Sequence, residues 1–215
     1  MEKPTIRDPN LSEAANRFLA SMTLTFDMWH DGLGYDLETL KSLPDGEKQA
    51  IEKLLIDNSP RDWRDIEALA VIDSPRAREA IEAALKSSDP QVRLEAQRHL
   101  PQKTNPADRE RLLVQSLKQD ALFAGLGKAI DEAAEFHPPA VIDALFQGAL
   151  NRDGEAAVNF AALLFYIHGK ADDPFDWNQR PFFLRFNTAD RAERKGVFKE
   201  MCEKLGVDPA KYGRF

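Results

Sequence analysis

One short segment near the N-terminus contains residue types that bind divalent metals. Asp27, His30 and Asp31 lie within five positions of one another, and imidazole and carboxylate groups are suitable ligands for such ions. Glycines follow at positions 32 and 34, and Asp and Gly are also typical of structural turns. Two interpretations stay open, a metal site and a shaped loop. We favour the loop, and we expect the protein to use no metal and no cofactor.

The other candidates for chemistry form no recognised motif. Cys202 is the single cysteine, which excludes an internal disulfide and suits a reducing cytoplasm. No histidine in the sequence argues for a nucleophile beside it, so we interpret it as a small apolar residue of the last helix. The sequence has neither a phosphate-binding glycine loop nor a Gly-x-Ser-x-Gly elbow. We therefore expect a protein without catalytic activity.

Regularly spaced prolines divide the middle of the chain. Their intervals are 31, 31 and 33 residues, for Pro44, Pro75, Pro106 and Pro139. A short polar residue follows each one 14 positions later: Asn58, Asp89, Asp120 and Asp153. Proline is tolerated in the first turn of a helix, and Asn or Asp caps a helix by accepting a bond from a first-turn N–H group. The pattern predicts repeated hairpins of two helices, one beginning at proline and one at the polar residue.

The pattern also predicts where the helices lie. The hairpins give eight of them, near 45–57, 61–72, 75–87, 90–100, 106–118, 121–136, 139–151 and 154–168. A capping helix is expected over 10–22, led by Asn10 or Ser12, and a short one follows Asp36 to about Leu43. After the repeats, a final helix capped by Asn187 or Thr188 runs to about Leu205. Each helix carries one apolar stripe, and stacking the hairpins would bury these stripes in one continuous core.

The repeat is sharpest over residues 60–100. Residues 68–77, 80–85 and 89–96 read ALAVIDSPRA, AIEAAL and DPQVRLEA, and they resemble the short HEAT repeats of phycobilisome lyases and other bacterial proteins. The resemblance is looser over 44–59 and 101–168. It implies an all-α fold, a right-handed α-solenoid of about four helical hairpins, in a single domain over residues 1–215. Within that domain we expect an N-terminal cap over 10–43, repeats over 44–168 and a C-terminal cap over 169–215.

Charge is distributed unevenly along the chain. Residues 1–168 contain 19 Lys and Arg against 28 Asp and Glu, whereas residues 169–215 contain 10 against 8. An acidic surface repels phosphate backbones and attracts basic proteins, so we expect a basic protein as partner and disfavour nucleic acid. Solubility alone is the alternative explanation of the acidic charge. No apolar run approaches the ~20 residues of a membrane span, so we expect no membrane association and a cytoplasmic location.

Two regions are candidate binding surfaces. In HEAT folds the second helix of each hairpin tends to line the concave side, which implies an acidic binding face here. Its candidate residues are Asp62, Asp65, Glu95, Arg98, Asp131, Glu132 and Glu135, with Trp63 as an anchor. After Gly169 the aromatic density rises, with Phe175, Trp177, Phe182, Phe183 and Phe186 within twelve residues. This segment either seals the end of the core or recognises a partner through Trp177 and Arg180, and both roles are compatible.

The resemblance leaves several functions open. The hypothesis we favour is a non-catalytic protein-binding module, specifically an immunity or inhibitor protein that covers a basic toxin or nuclease. The alternative is a structural adaptor or oligomeric scaffold, with homodimerisation through the aromatic tail. HEAT-type enzymes such as DNA glycosylases or bilin lyases come third. HEAT-type hydroxylases bind iron through repeated His-Glu pairs, but no histidine of this chain is followed by Glu.

Overall fold

The computed structural model describes residues 7–23, 33–58, 62–118, 126–152 and 154–213. Within these ranges the regular structure is entirely helical, with twelve α-helices and no strand. The all-α fold class expected from the sequence is therefore confirmed. The chain divides into two compact units, with the boundary between Pro106 and Ala107.

The first unit is built around one central helix. Its six helices are α1 (Glu13–Ser21), α2 (Leu37–Ser42), α3 (Asp45–Asp57), α4 (Trp63–Ile72), α5 (Pro75–Ala84) and α6 (Pro90–His99). Helix α4 contacts α2, α3, α5 and α6, while α1 packs on α2. Ile66, Ala68 and Leu69 of α4 are completely buried, because they face these neighbouring helices on several sides.

Short polar side chains start most helices of the first unit, and the sequence predicts this for Asp36 and Asp89 but not for Ser74. Ser12, Asp36, Ser74 and Asp89 each accept a hydrogen bond from a first-turn N–H group. Of the two residues predicted to lead α1, Ser12 is the cap. Such caps satisfy backbone donors that have no partner inside the helix. The predicted caps Asp120 and Asp153 lie outside the described residues.

The prediction that Asn58 caps the second helix of its hairpin is wrong. Asn58 is the C-terminal cap of α3, and both its backbone N–H and its side-chain amide donate to the carbonyl of Leu54. Helix α4 begins after Asp62 instead. Asp62 and Asp65 form a reciprocal capping box there, in which two backbone donors are satisfied together. A capping box is a stronger start signal than a lone Asn.

The second unit surrounds an almost wholly apolar helix. Its helices are α7 (Pro106–Leu117), α8 (Leu126–Glu135), α9 (Pro139–Asn151), α10 (Gly154–Ile167), α11 (Arg180–Phe183) and α12 (Arg191–Leu205). Helix α10 contacts α8, α9 and α11, and α12 contacts α9. Nine residues of α10 between Ala156 and Phe165 are buried, as expected for a helix that is hydrophobic on all sides.

Helix α12 begins later than predicted. Its cap is Asp190, which accepts hydrogen bonds from the N–H groups of Ala192 and Glu193, so the prediction of Asn187 or Thr188 as cap is wrong. The Thr188 hydroxyl instead donates to the Glu193 carboxylate, over 2.6 Å. The Asp190 carboxylate accepts from two backbone donors at once, and its negative charge interacts favourably with the positive end of the helix dipole. These two contributions explain why Asp190, rather than Asn187 or Thr188, caps the helix.

Gly148 allows α9 and α10 to pack closely, so we expect Gly148→Ala to destabilise the second unit. A methyl group at this position would overlap the ring of Phe160, and such overpacking costs about 1–3 kcal/mol. Gly196→Ala on α12 is the matched control, because nothing lies near its added methyl. It should stabilise by about 0.5–1 kcal/mol through helix propensity. Urea denaturation measures both changes, and a stabilising Gly148→Ala would contradict this packing account.

Candidate functional site

The C-terminal unit presents one aromatic side chain almost fully to solvent. Trp177 is 71 % exposed, the largest exposure among the large hydrophobic side chains of the described residues. The edge of its ring meets Phe175, with centroids 5.7 Å apart. The guanidinium of Arg180 lies 5.0 Å from the centroid of the same ring, at cation–π distance. We call Phe175, Trp177, Arg180 and Phe182 the aromatic surface.

The turn that carries Trp177 is held by hydrogen bonds on both sides. The Asp176 carboxylate accepts from the backbone N–H of Asn178 over 2.9 Å. The Gln179 amide donates to the carbonyl of Lys170 over 2.7 Å and to Asp176 over 3.2 Å. Trp177 therefore projects from a braced turn, which lowers the conformational entropy lost when a partner binds.

Buried phenylalanines attach this turn to the core of the unit. Phe183 and Phe186 are completely buried. Phe183 packs edge-on against Phe165 of α10, with centroids 5.2 Å apart, and against Phe175 at 5.9 Å. Part of the segment therefore lies in the core and part lies on the surface. This arrangement is compatible with both roles expected from the sequence, sealing the end of the core and recognising a partner.

Cations flank the exposed side of Phe182. Arg185 and Lys204 lie 5.5 and 5.4 Å from its ring centroid, and both pair with the Glu200 carboxylate, over 2.7 and 3.6 Å. The hydrogen bond from Arg185 holds the pKa of Glu200 below its ordinary value. Aromatic faces next to guanidinium groups match the composition of protein interfaces, where Trp and Arg are enriched.

The candidates at the start of α4 form a buried polar network. Trp63 and Asp65 retain 6 % and 7 % exposure, and Asp62 is half-buried. The Tyr35 hydroxyl donates to the Asp65 carboxylate over 2.9 Å. Burial, reinforced by the charge of Asp65, raises the pKa of Tyr35 well above its ordinary value. The network joins the segment before α2 to α4.

Arg64 completes this network, although its type and position gave no signal in the sequence. It is 3 % exposed, its Nε donates to the carbonyl of Leu33 over 2.6 Å, and its Nη1 donates to both oxygens of Asp62 at 3.0 Å. Its guanidinium also lies 4.3 Å from the ring centroid of Trp63.

The acidic candidates of the later helices divide between the interior and the surface. Glu95 of α6 is 3 % exposed, and its Oε1 lies 3.0 Å from Nε2 of His99. Glu132 of α8 is 1 % exposed and accepts a hydrogen bond over 2.7 Å from Nε of Arg109, a residue that sequence reasoning missed. Three candidates reach solvent in part or in full: Arg98, Asp131 and Glu135.

The described residues contain no metal-binding cluster. No group of three or more His, Cys, Asp or Glu side chains within these ranges could hold an ion. The three residues of the metal hypothesis, Asp27, His30 and Asp31, lie outside the described part of the chain.

Cys202 is inside the core, which gives a prediction for alkaline pH. Its side chain is completely buried, and burial raises its pKa from 9.0 to about 12. Above pH 9 the unfolded thiol loses its proton and the folded thiol keeps it, so stability falls as pH rises. We expect a loss of about 1 kcal/mol per pH unit between pH 9 and 11. Urea denaturation of Cys202→Ala over the same range should show a shallower slope, and an equal slope would contradict the assignment.

Comparisons with known proteins identify no relative of this chain. No family model, no curated protein and no solved structure matches it. Within the described residues, no helix combines the length and apolar character needed to cross a bilayer.

Proposed function

We propose that this protein is a non-catalytic protein-binding module that engages its partner through the aromatic surface. The observation that carries the proposal is the 71 % exposure of Trp177 on a braced turn. A rigid indole provides a large contact area at little entropic cost, and Arg180, 5.0 Å from its ring centroid, adds a second residue type common in binding hot spots.

The net charge supports a basic partner. The chain carries 29 Lys and Arg against 36 Asp and Glu, a net charge of −7. Asp131 and Glu135 are the acidic candidates at the surface of α8. An immunity or inhibitor protein that captures a basic toxin would gain association rate from this overall charge, whereas the contact at the aromatic surface, where Arg180, Arg185 and Lys204 lie, would depend on the rings. This version requires that association slow as salt rises, because exposed charges are screened over about 10 Å at 0.1 M ionic strength.

Helix contacts in the first unit support a HEAT-like arrangement there, which we also propose. Helix α4 contacts its hairpin partner α3 and the next two helices, α5 and α6, and α3 contacts α5. Contacts with the next helix and the next but one are what stacked hairpins make.

Substitution of Trp177 tests the proposed binding surface. A partner captured at low salt by the wild-type protein should bind Trp177→Ala about 30-fold more weakly, the effect of losing about 2 kcal/mol at a hot spot. Leu33→Ala is the matched control, because Leu33 is also exposed, at 52 %, but belongs to the first unit. Titration calorimetry with the purified partner measures both affinities. An affinity that Trp177→Ala leaves unchanged would reject this surface.

The adaptor alternative uses the same surface in a different way. Leu184, 42 % exposed and close in sequence to the aromatic surface, would add apolar area to a contact between two copies of the chain. Sedimentation equilibrium separates the two functions. A dimer that Trp177→Ala converts to a monomer favours the adaptor, whereas a monomer at all concentrations favours capture of a different protein.

A further inference from the structure

The aromatic surface carries hydrogen-bond donors that have no acceptor within the described part of the chain. Arg180 is exposed, and its guanidinium forms no hydrogen bond or ion pair with any described residue. The indole N–H of Trp177 donates to none of them either. A guanidinium presents five N–H donors in a planar fork that matches the two oxygens of a carboxylate. Both side chains are therefore available to an acceptor on a partner.

The carboxylates closest to Arg180 in the preceding turn do not pair with it. Asp176 accepts hydrogen bonds from the backbone N–H of Asn178 and from the Gln179 amide. Asp172 and Asp173 are exposed and form no ion pair with any described residue. Arg180 thus keeps a positive charge that no described carboxylate offsets.

The second exposed ring also lies beside an excess of positive charge. Arg185 and Lys204 both lie within 5.5 Å of the centroid of Phe182, and they share the single carboxylate of Glu200. Two cations with one carboxylate leave one positive charge next to the ring. An anionic group of a partner is therefore favoured at both Trp177 and Phe182.

The spacing of ring and cation defines what a ligand must combine. Most of the Trp177 ring is open to solvent, at 71 % exposure, and the Arg180 guanidinium lies 5.0 Å from its centroid. A ligand that uses both needs an apolar group and an acceptor within a few ångströms of each other. Consecutive residues of a protein chain are about 3.8 Å apart at their Cα atoms, so an apolar residue next to an acidic one meets this requirement.

We propose that the partner presents to the aromatic surface a short segment in which Asp or Glu adjoins an aromatic or aliphatic residue. The apolar side chain packs on Trp177, and the carboxylate binds the guanidinium of Arg180. This inference rests on the proposed protein-binding function and specifies the chemistry of the bound segment. A partner that is basic overall and carries one such acidic segment satisfies both the net charge of −7 and the unpaired Arg180.

The overall charge of the chain favours a protein segment over a nucleic acid strand. Stacked bases and phosphates also combine an apolar face with negative charge. A strand, however, brings one charge with every nucleotide, and a protein of net charge −7 repels such a backbone. A segment with one or two carboxylates meets much less repulsion.

Selection from a random peptide library displayed on phage tests the chemistry of the segment. Peptides are selected on the wild-type protein after removal of those that bind Trp177→Ala. The enriched peptides should contain Asp or Glu next to Phe, Trp, Leu, Ile or Met. Enrichment of peptides that lack acidic residues would overturn the inference and leave the proposed function standing. Equal recovery on the wild-type protein and on Trp177→Ala would reject the surface and the proposed function together.

The most enriched peptide, measured by fluorescence polarisation, tests the role of Arg180. Arg180→Gln should weaken its binding about fivefold or more, because a charge-assisted hydrogen bond is lost. Arg191→Gln is the matched control, since Arg191 is also exposed and unpaired among the described residues but belongs to α12. It should leave the affinity unchanged. A peptide whose acidic residues are replaced by Lys should bind Arg180→Glu more tightly than it binds the wild-type protein, a reversal that misfolding cannot produce.

Three results would overturn the inference. They are full peptide affinity in a folded Arg180→Gln variant, an unchanged preference for the acidic peptide in Arg180→Glu, and tighter binding of an oligothymidylate of about 12 nucleotides than of the selected peptide. The last result would identify a nucleic acid strand as the better occupant. Far-UV circular dichroism establishes that each variant is folded.

Discussion

Replacing Arg109 with Met is expected to destabilise the second unit by about 3–5 kcal/mol, the cost of breaking a buried ion pair by removing one partner. Arg109 donates from Nε to Glu132 over 2.7 Å, and Glu132 is 1 % exposed. The substitution leaves a carboxylate in the interior without its arginine. It also removes the guanidinium that lies 4.2 Å from the ring centroid of Phe136. Urea denaturation followed by far-UV circular dichroism measures the change.

Two further variants separate this explanation from a general effect of losing a cation. Removing both charges in Arg109→Met/Glu132→Leu should restore most of the stability, since an apolar pair of similar volume avoids the desolvation cost. Arg111→Met is the surface control on the same helix, because Arg111 and Asp108 pair at 79 % and 51 % exposure. It should change stability by less than about 0.5 kcal/mol. A double variant as unstable as Arg109→Met would show that the cost does not arise from the loss of the arginine beside Glu132.

Replacing Phe146 with Ala is expected to cost a similar amount, about 3–5 kcal/mol, through a cavity in the core. Phe146 of α9 is completely buried. Its ring stacks on Tyr212 with centroids 4.3 Å apart and meets the rings of His168 and Phe198 edge-on, at 5.6 and 6.2 Å. These partners come from three other parts of the second unit, so one truncation weakens the packing of all three.

The loss of Phe146 should also release the C-terminal residues. Tyr212 depends on the stacked ring, and its remaining ties to α9 are hydrogen bonds through Asp143 and Gln147. Limited proteolysis with trypsin should therefore cleave after Lys211 faster in Phe146→Ala than in the wild-type protein. Phe146→Leu, which keeps most of the volume, should lose less than about 1.5 kcal/mol. Cleavage after Lys211 at the wild-type rate in Phe146→Ala would contradict the role given to the stacked pair.

The positions of most helices were predictable because their signals are local. Pro75 and Ser74 start α5, and Asp89 starts α6, through bonds that reach only two or three residues along the chain. The errors at Asn58 and Thr188 arose where two polar residues competed to start the same helix. A cap that satisfies two backbone donors wins over one that satisfies a single donor, and spacing alone does not reveal that difference.

The candidate surface was predictable only in part. The cluster of aromatic residues around Trp177 is visible in the sequence, but Phe183 and Trp177 have the same apolar character there. In the fold, Phe183 is completely buried and Trp177 is 71 % exposed. The difference depends on contacts with Phe165, a residue that belongs to an earlier helix.

By itself the sequence determined the proline period, some of the caps and the uneven charge, because each follows from neighbouring residues. The tertiary structure decided which charged side chains face water. Asp65 is buried against Tyr35, 30 positions away, and Glu132 against Arg109, 23 positions away. Burial of a charge depends on which distant helix covers it and whether that helix supplies a partner.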